Sequence, residues 1–208
     1  MNITIRQTVV MISLLTFLSL LFEDHAKAQI ITANKFNFVI SGETGVVTGY
    51  ERHYHNIEAG GTAQMQYGLS GKVAITLTSG YYNFLSKNYF AIYSNPSGLA
   101  SYTADSGNFG IIPVKAGIKI FVSNHLYVSN EAGWGQETAN TRIVNDAYNT
   151  YYYVPEYKQK KFIFSAGMGY ALKYVDVGLH YETFSGTDKN SDTFISYGFL
   201  GLSVACKL

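Results

Sequence analysis

From Phe36 onward the chain alternates apolar and polar residues one by one, without the three-and-four spacing of an amphipathic helix. In 57–69, IEAGGTAQMQYGL, one alternate set is Ile57, Ala59, Gly61, Ala63, Met65, Tyr67 and Leu69. The other is Glu58, Gly60, Thr62, Gln64, Gln66 and Gly68. Successive side chains of a strand point to opposite faces, so this segment reads as a strand with one apolar and one polar face.

The pattern recurs along the chain. Phe36, Phe38 and Ile40 alternate with Asn37, Ser41 and Glu43; Val73, Ile75 and Leu77 with Ala74, Thr76 and Thr78. Ile112, Val114, Ala116, Ile118 and Ile120 oppose Pro113, Lys115, Gly117 and Lys119. Leu126, Val128, Ala132 and Trp134 oppose Ser129, Glu131 and Gly133. Phe162, Phe164, Ala166, Met168 and Tyr170 oppose Ser165, Gly167 and Gly169. Val177, Leu179 and Tyr181 oppose Asp176, Gly178, His180 and Glu182. Leu200, Leu202, Val204 and Leu208 oppose Gly201, Ser203 and Lys207, which brings the count to eight strands.

The connections alternate as well. Short turns fall at 70–72, 122–125 and 173–175, and longer polar segments at 48–56, 86–110, 139–160 and 185–192. The short turns share an end with the two termini. That asymmetry predicts an all-β, eight-stranded antiparallel up-and-down transmembrane barrel with tight periplasmic turns and longer extracellular loops. Pro113 is expected at the start of its strand, where a missing N–H is tolerated. Glycines on the polar face (Gly60, Gly68, Gly117, Gly133, Gly167, Gly178, Gly201) leave room inside a narrow, strongly curved barrel.

Composition agrees. The chain has 18 Tyr, 13 Phe and 20 Gly, and charged residues are 14%, against ~25% in soluble domains. A net charge of +1 offers no basic footprint, so a nucleic-acid partner is not expected. Cys206 is the one cysteine, which excludes an intrachain disulfide. At the N-terminus, Arg6 precedes the apolar run Val9–Phe22, and Ala26-Lys27-Ala28 supplies small residues for signal peptidase. The expected organisation is a leader, 1–28, removed after Ala28, and a barrel domain, 29–208. The apolar run is shorter than the ~20 residues of a helical membrane anchor.

Two orientations of the barrel compete. A soluble lipocalin-like carrier would turn its apolar face inward and its charges to water. The glycine-rich polar face, the aromatic residues near strand ends on the apolar face and the absence of a Gly-x-Trp signature near the start favour the inverse arrangement, with lipid outside. Glu43, Glu58, Lys115, Lys119, Glu131, Asp176, His180, Glu182 and Lys207 then form a charge network in a closed polar lumen. Buried unpaired charges are costly, so Lys115 or Lys119 is expected to pair with Glu43, Glu58 or Glu131.

The stretches FNFVISGETGVVTG, IIPVKAGIKIF, YVSNEAGWG, KFIFSAGMGYALKYVDVGLHYE and GFLGLSVACKL resemble the small outer-membrane β-barrel domain proteins of Gram-negative bacteria, of the OmpA and OmpX type. The resemblance covers most of 35–208 and rests on alternation and glycine placement. It implies the eight-stranded barrel and outer-membrane residence, with lipid and lipopolysaccharide and the barrel-assembly machinery as partners. Leu208 departs from the terminal aromatic residue common in that family.

Candidate chemistry is sparse. Glu51, His53 and His55 have loose metal-ligand spacing, but a solvated loop is the plainer reading, and neither a metal nor a cofactor is expected. His180 beside Glu182 and Asp176 reads as part of the lumen network. No serine lies in a nucleophile motif, so an enzyme is not expected, and a lipid-modifying enzyme or protease is the alternative. In NTYYYVPEYKQKK, Tyr151, Tyr152, Tyr153 and Tyr157 with Lys158, Lys160 and Lys161 are candidates for contact with lipopolysaccharide phosphates or an extracellular protein or glycan. The expected function is structural or surface-interactive, through the extracellular loops.

Overall fold

In the computed structural model the described residues are 32–95, 98–105, 107–139, 142–145, 151–154, 157–187 and 193–208; the leader, 1–28, lies outside them. Eight long strands close into one antiparallel barrel: β1 (Phe36–Gly49), β2 (His55–Gly68), β3 (Val73–Ser86), β6 (Phe109–Phe121), β7 (Leu126–Ala139), β10 (Tyr157–Ala171), β11 (Val175–Thr187) and β12 (Phe194–Lys207). Each pairs with the barrel strands before and after it in the chain, and β1 closes the ring on β12 with Val39 opposite Lys207. Closure leaves no strand edge unpaired, the condition for spanning a bilayer with sheet.

The tight turns lie at one end. Ser70 Oγ accepts the N–H groups of Lys72 and Val73, each at 3.2 Å, and Ser123 Oγ accepts that of Leu126 at 3.1 Å. Each serine thus supplies the acceptor that a short hairpin connection needs. At the other end Gly49 has φ +74°, a left-handed conformation that glycine takes without strain, and turns β1 into a single 3-10 turn, Tyr50–His53.

The structure corrects three expectations. Segments 86–110 and 139–160 contain paired strands, β4 (Asn88–Asn95) with β5 (Gly98–Asp105) and β8 (Arg142–Asn145) with β9 (Tyr151–Val154). Runs such as NYFAIYSN and YYYV are rich in aromatic and β-branched residues and extend as hairpins. Pro113 is well inside β6. The β3–β6 ladder lapses opposite it, between Ser79↔Val114 and Tyr82↔Ile111, and Ser79 Oγ donates to the Pro113 carbonyl at 2.9 Å. Finally, the lumen is not uniformly polar. Val47, Tyr82, Phe84, Phe109, Ile111, Ile163, Phe184, Tyr197 and Phe199 form a buried apolar cluster in its loop-end half.

The outside is apolar. Phe38 is 52% exposed, Ile40 55%, Trp134 67% and Leu202 51%, within a belt that includes residues of all eight barrel strands. A surface of this extent in water would be an aggregation liability; in a bilayer it is the solvated face. The chain is a membrane β-barrel.

Candidate functional site

The polar groups expected in the network lie between the aromatic layer and the tight turns. Lys115 (β6) places Nζ 2.5 Å from Glu182 Oε2 (β11) and 3.5 Å from Glu131 Oε2 (β7), and donates to the Tyr82 hydroxyl at 3.0 Å. Glu131 is well satisfied: its Oε1 accepts from Thr76 at 2.8 Å, Thr78 at 2.7 Å and Gln64 Nε2 at 2.9 Å. Gln66 donates in turn to Gln64. Near the tight turns, Asp176 lies between two cations, with Lys119 Nζ at 2.7 Å and Lys207 Nζ at 2.8 Å. The Lys119 ammonium also sits 3.8 Å from the centre of the Tyr127 ring. His180 Nε2 is 3.0 Å from Glu43 Oε2.

All nine residues expected in the network therefore face inward, and Lys115 meets Glu131 as expected, but the other partners differ from the expectation, Glu182 lying closer to Lys115 than Glu131 does. Lys119 pairs with Asp176, and Glu43 with the histidine. Glu58 has no ion-pair partner among the described residues; it is wholly buried, and neither carboxylate oxygen has a hydrogen-bond partner. Its neighbours Glu43 and Glu182 also each keep one buried oxygen without a partner. A cavity of about 100 Å³, lined by Glu43, Gln64, Lys119, Asp176 and His180 among others, lies in this polar zone. It is polar and roomy enough to hold several waters.

The loop-end half of the lumen holds stacked rings. Phe84 and Phe109 stack with centroids 4.5 Å apart and planes 1° from parallel, and Phe184 stacks on Tyr197 at 5.3 Å. Many of these rings and large side chains sit over glycines. A Cβ on Gly45 or Gly201 would run into Phe199, and one on Gly135 into Ile163 and Ile111. The inward glycines therefore make space for aromatic as well as polar neighbours.

Lys161 is a further correction. Expected at the outer rim, it is 2% exposed inside the barrel, with Nζ 3.7 Å from Glu137 Oε2, and the Tyr197 hydroxyl donates to the same carboxylate. The signal was present in the sequence: with Phe162 outward, period two puts Lys161 inward and Lys160 outward. Glu137 lies three residues past Trp134, where the alternation read from the sequence ends, and escapes it in the same way. Lys158 and Lys160 are exposed on the outer side, in strand with Phe162 and opposite Thr138 and Gln136. Tyr151, Tyr152 and Tyr153 belong to β9, paired with β8; Tyr157 opens β10.

The rim histidine also departs from a solvated loop. His55 is 4% exposed; its Nδ1 is 2.9 Å from Glu51 Oε2 and its Nε2 is 3.0 Å from the Gly107 carbonyl. It packs edge-on against Phe109 at 4.8 Å and so ties the first loop to the end of the second. A β-bulge between His55 and Ile57 turns both His55 and Glu58 inward. His53 stays exposed.

No protein-family model matches the chain, and no curated protein matches it in sequence. Solved structures do match. The N-terminal β-barrel domain of Pseudomonas aeruginosa OprF superposes with a TM-score of 0.53 at 14% identity, over 86% of this chain and 100% of that one. Ail, the attachment invasion locus protein of Yersinia pestis, gives 0.50 at 12% identity, over 85% and 100%. At such identities the likeness speaks for architecture alone, and the architecture is unambiguous: this chain has the fold of the small eight-stranded transmembrane β-barrels.

Proposed function

We propose that the protein is an exported, non-catalytic barrel of a Gram-negative outer membrane, with a structural or surface-contact role carried by its loop-end hairpins. The observation that carries this reading is the inversion of the barrel. Large apolar side chains face outward, while ion pairs are locked inside beneath an aromatic layer. An interior filled in this way supports a closed lumen and leaves the loops and the outer rim as the surfaces available for contact. Residues 1–28 would direct export. Lys158 and Lys160, outward in strand with exposed Phe162, suit the phosphates of lipopolysaccharide at the outer boundary.

Fractionation of expressing cells tests the proposal. The protein should be recovered with the outer membrane, and protease added to intact cells should cut within 86–110 or 139–160 while sparing the eight barrel strands. Recovery in a soluble fraction would overturn it. A conducting channel in a planar bilayer would contradict the closed lumen.

A further inference from the structure

The lipid-facing surface carries one group out of keeping with hydrocarbon. Along β7 the outward residues are Leu126, Val128, Asn130, Ala132 and Trp134, with Gln136 and Thr138 beyond them toward the loop end, which places an amide in the middle of the apolar belt. Asn130 is exposed, and its register partners Ile118 on β6 and Ala166 on β10 also belong to the lipid face. Several hydroxyls on this face are satisfied by the barrel itself. Thr44 donates to the Glu58 carbonyl at 2.8 Å, Ser79 to that of Pro113 at 2.9 Å and Thr183 to that of Phe164 at 3.3 Å. Asn83, another lipid-side amide, lies past Tyr81 near the loop end of β3, three residues from its last residue, Ser86. Among the described residues the Asn130 side chain has no hydrogen-bond partner, and its neighbours Ala116, Ala132 and Ala166 have no polar atom to offer and too little bulk to cover it.

We propose that Asn130 marks a self-association surface and that its partner is a second copy of this chain. An amide left unbonded in hydrocarbon is costly, and in membranes such groups act as polar contacts between packed elements. A carboxamide is self-complementary, since its NH₂ donates and its carbonyl accepts, so two of them close a pair of hydrogen bonds across a two-fold axis. Depth selects the partner. Copies inserted in the same direction hold Asn130 at the same height, so a two-fold axis along the membrane normal brings the two amides level. Lipid headgroups lie too far from the middle of the belt to serve. The alanines around Asn130 allow a second barrel wall to approach closely.

The inference rests on the membrane reading, and its test separates the two. Cys206 is exposed and the sole cysteine, so the full barrel can be labelled there with donor or acceptor dye and reconstituted in phosphatidylcholine vesicles. Flotation with the vesicles and heat-modifiable gel migration report insertion and folding independently of association. The wild-type protein should show energy transfer that rises with the protein-to-lipid ratio beyond random proximity. Asn130→Leu, inserted and folded by the same criteria, should need a roughly tenfold higher ratio for the same transfer, the weakening expected for loss of about 1.4 kcal/mol. Inserted wild-type protein that shows only random transfer would overturn the proposal and leave the membrane reading intact, as would an Asn130→Leu variant that associates as strongly as wild type.

Discussion

Substituting Lys115 by methionine probes the lumen most sharply. The change keeps the length and bulk of the side chain and removes one ammonium, which lies 2.5 Å from Glu182, 3.5 Å from Glu131 and 3.0 Å from the Tyr82 hydroxyl. Glu131 retains its three hydroxyl and amide donors. Glu182 does not fare as well: it is wholly buried, its Oε1 already has no partner, and its Oε2 would keep only the Tyr82 hydroxyl at 3.4 Å. Removing one partner of a buried pair leaves an uncompensated charge and costs about 3–5 kcal/mol, whereas an exposed pair contributes less than about 1 kcal/mol. Lys115→Met should therefore lower unfolding stability in lipid by about 3–5 kcal/mol. Glu182→Gln alone should be milder, because Lys115 keeps Glu131, and adding it to Lys115→Met should restore much of the loss. Denaturant titration in vesicles, followed by the fluorescence of Trp134, the single tryptophan, measures all three. A loss under about 1 kcal/mol for Lys115→Met, or a double variant no more stable than that single one, would refute the reasoning.

Other positions give separate tests. Glu58→Gln replaces an unpartnered buried carboxyl by an amide of the same shape and supplies an NH₂ donor beside carboxylates with free oxygens, so the unfolding midpoint should hold or rise, by about 1 kcal/mol at most; a clear fall would show that Glu58 has a partner. Gly133→Ala drives a Cβ into the backbone of Val114 and Lys115 on the next strand and should cost about 1–3 kcal/mol, whereas Gly42→Ala meets nothing within 4 Å and should be near neutral in the same titration. His55→Leu cuts the links to Glu51 and Gly107, so limited proteolysis of the folded barrel should cleave faster between residues 86 and 110, with cleavage at the tight-turn end unchanged.

The sequence made the strands, their facing and the turn–loop asymmetry legible, because period two is strong wherever one face meets lipid and the other a crowded interior. It failed where both faces are apolar. In GYYNFLS, Tyr81 faces lipid and Tyr82 the lumen, and in FGIIPV the adjacent Ile111 and Ile112 divide in the same way, so the aromatic layer left no alternation to read. Partner choice in the network was hidden for another reason. Lys115 and Glu182 meet across 67 residues of sequence, and the height of each on the barrel wall depends on the registers of the intervening strands. Lys161 and the hairpins in the long loops were recoverable: period two extended one residue back from Phe162, and the aromatic, β-branched runs at 88–95 and 151–154 carried strand character.

The inverted barrel is tested most directly at Trp134, which is 67% exposed on the outer face. Folded protein in vesicles of acyl-chain-brominated phosphatidylcholine should lose most of its tryptophan fluorescence relative to unbrominated vesicles, and aqueous iodide should quench it little. Fluorescence that ignores the bromines and yields to iodide would put this face in water and contradict the account.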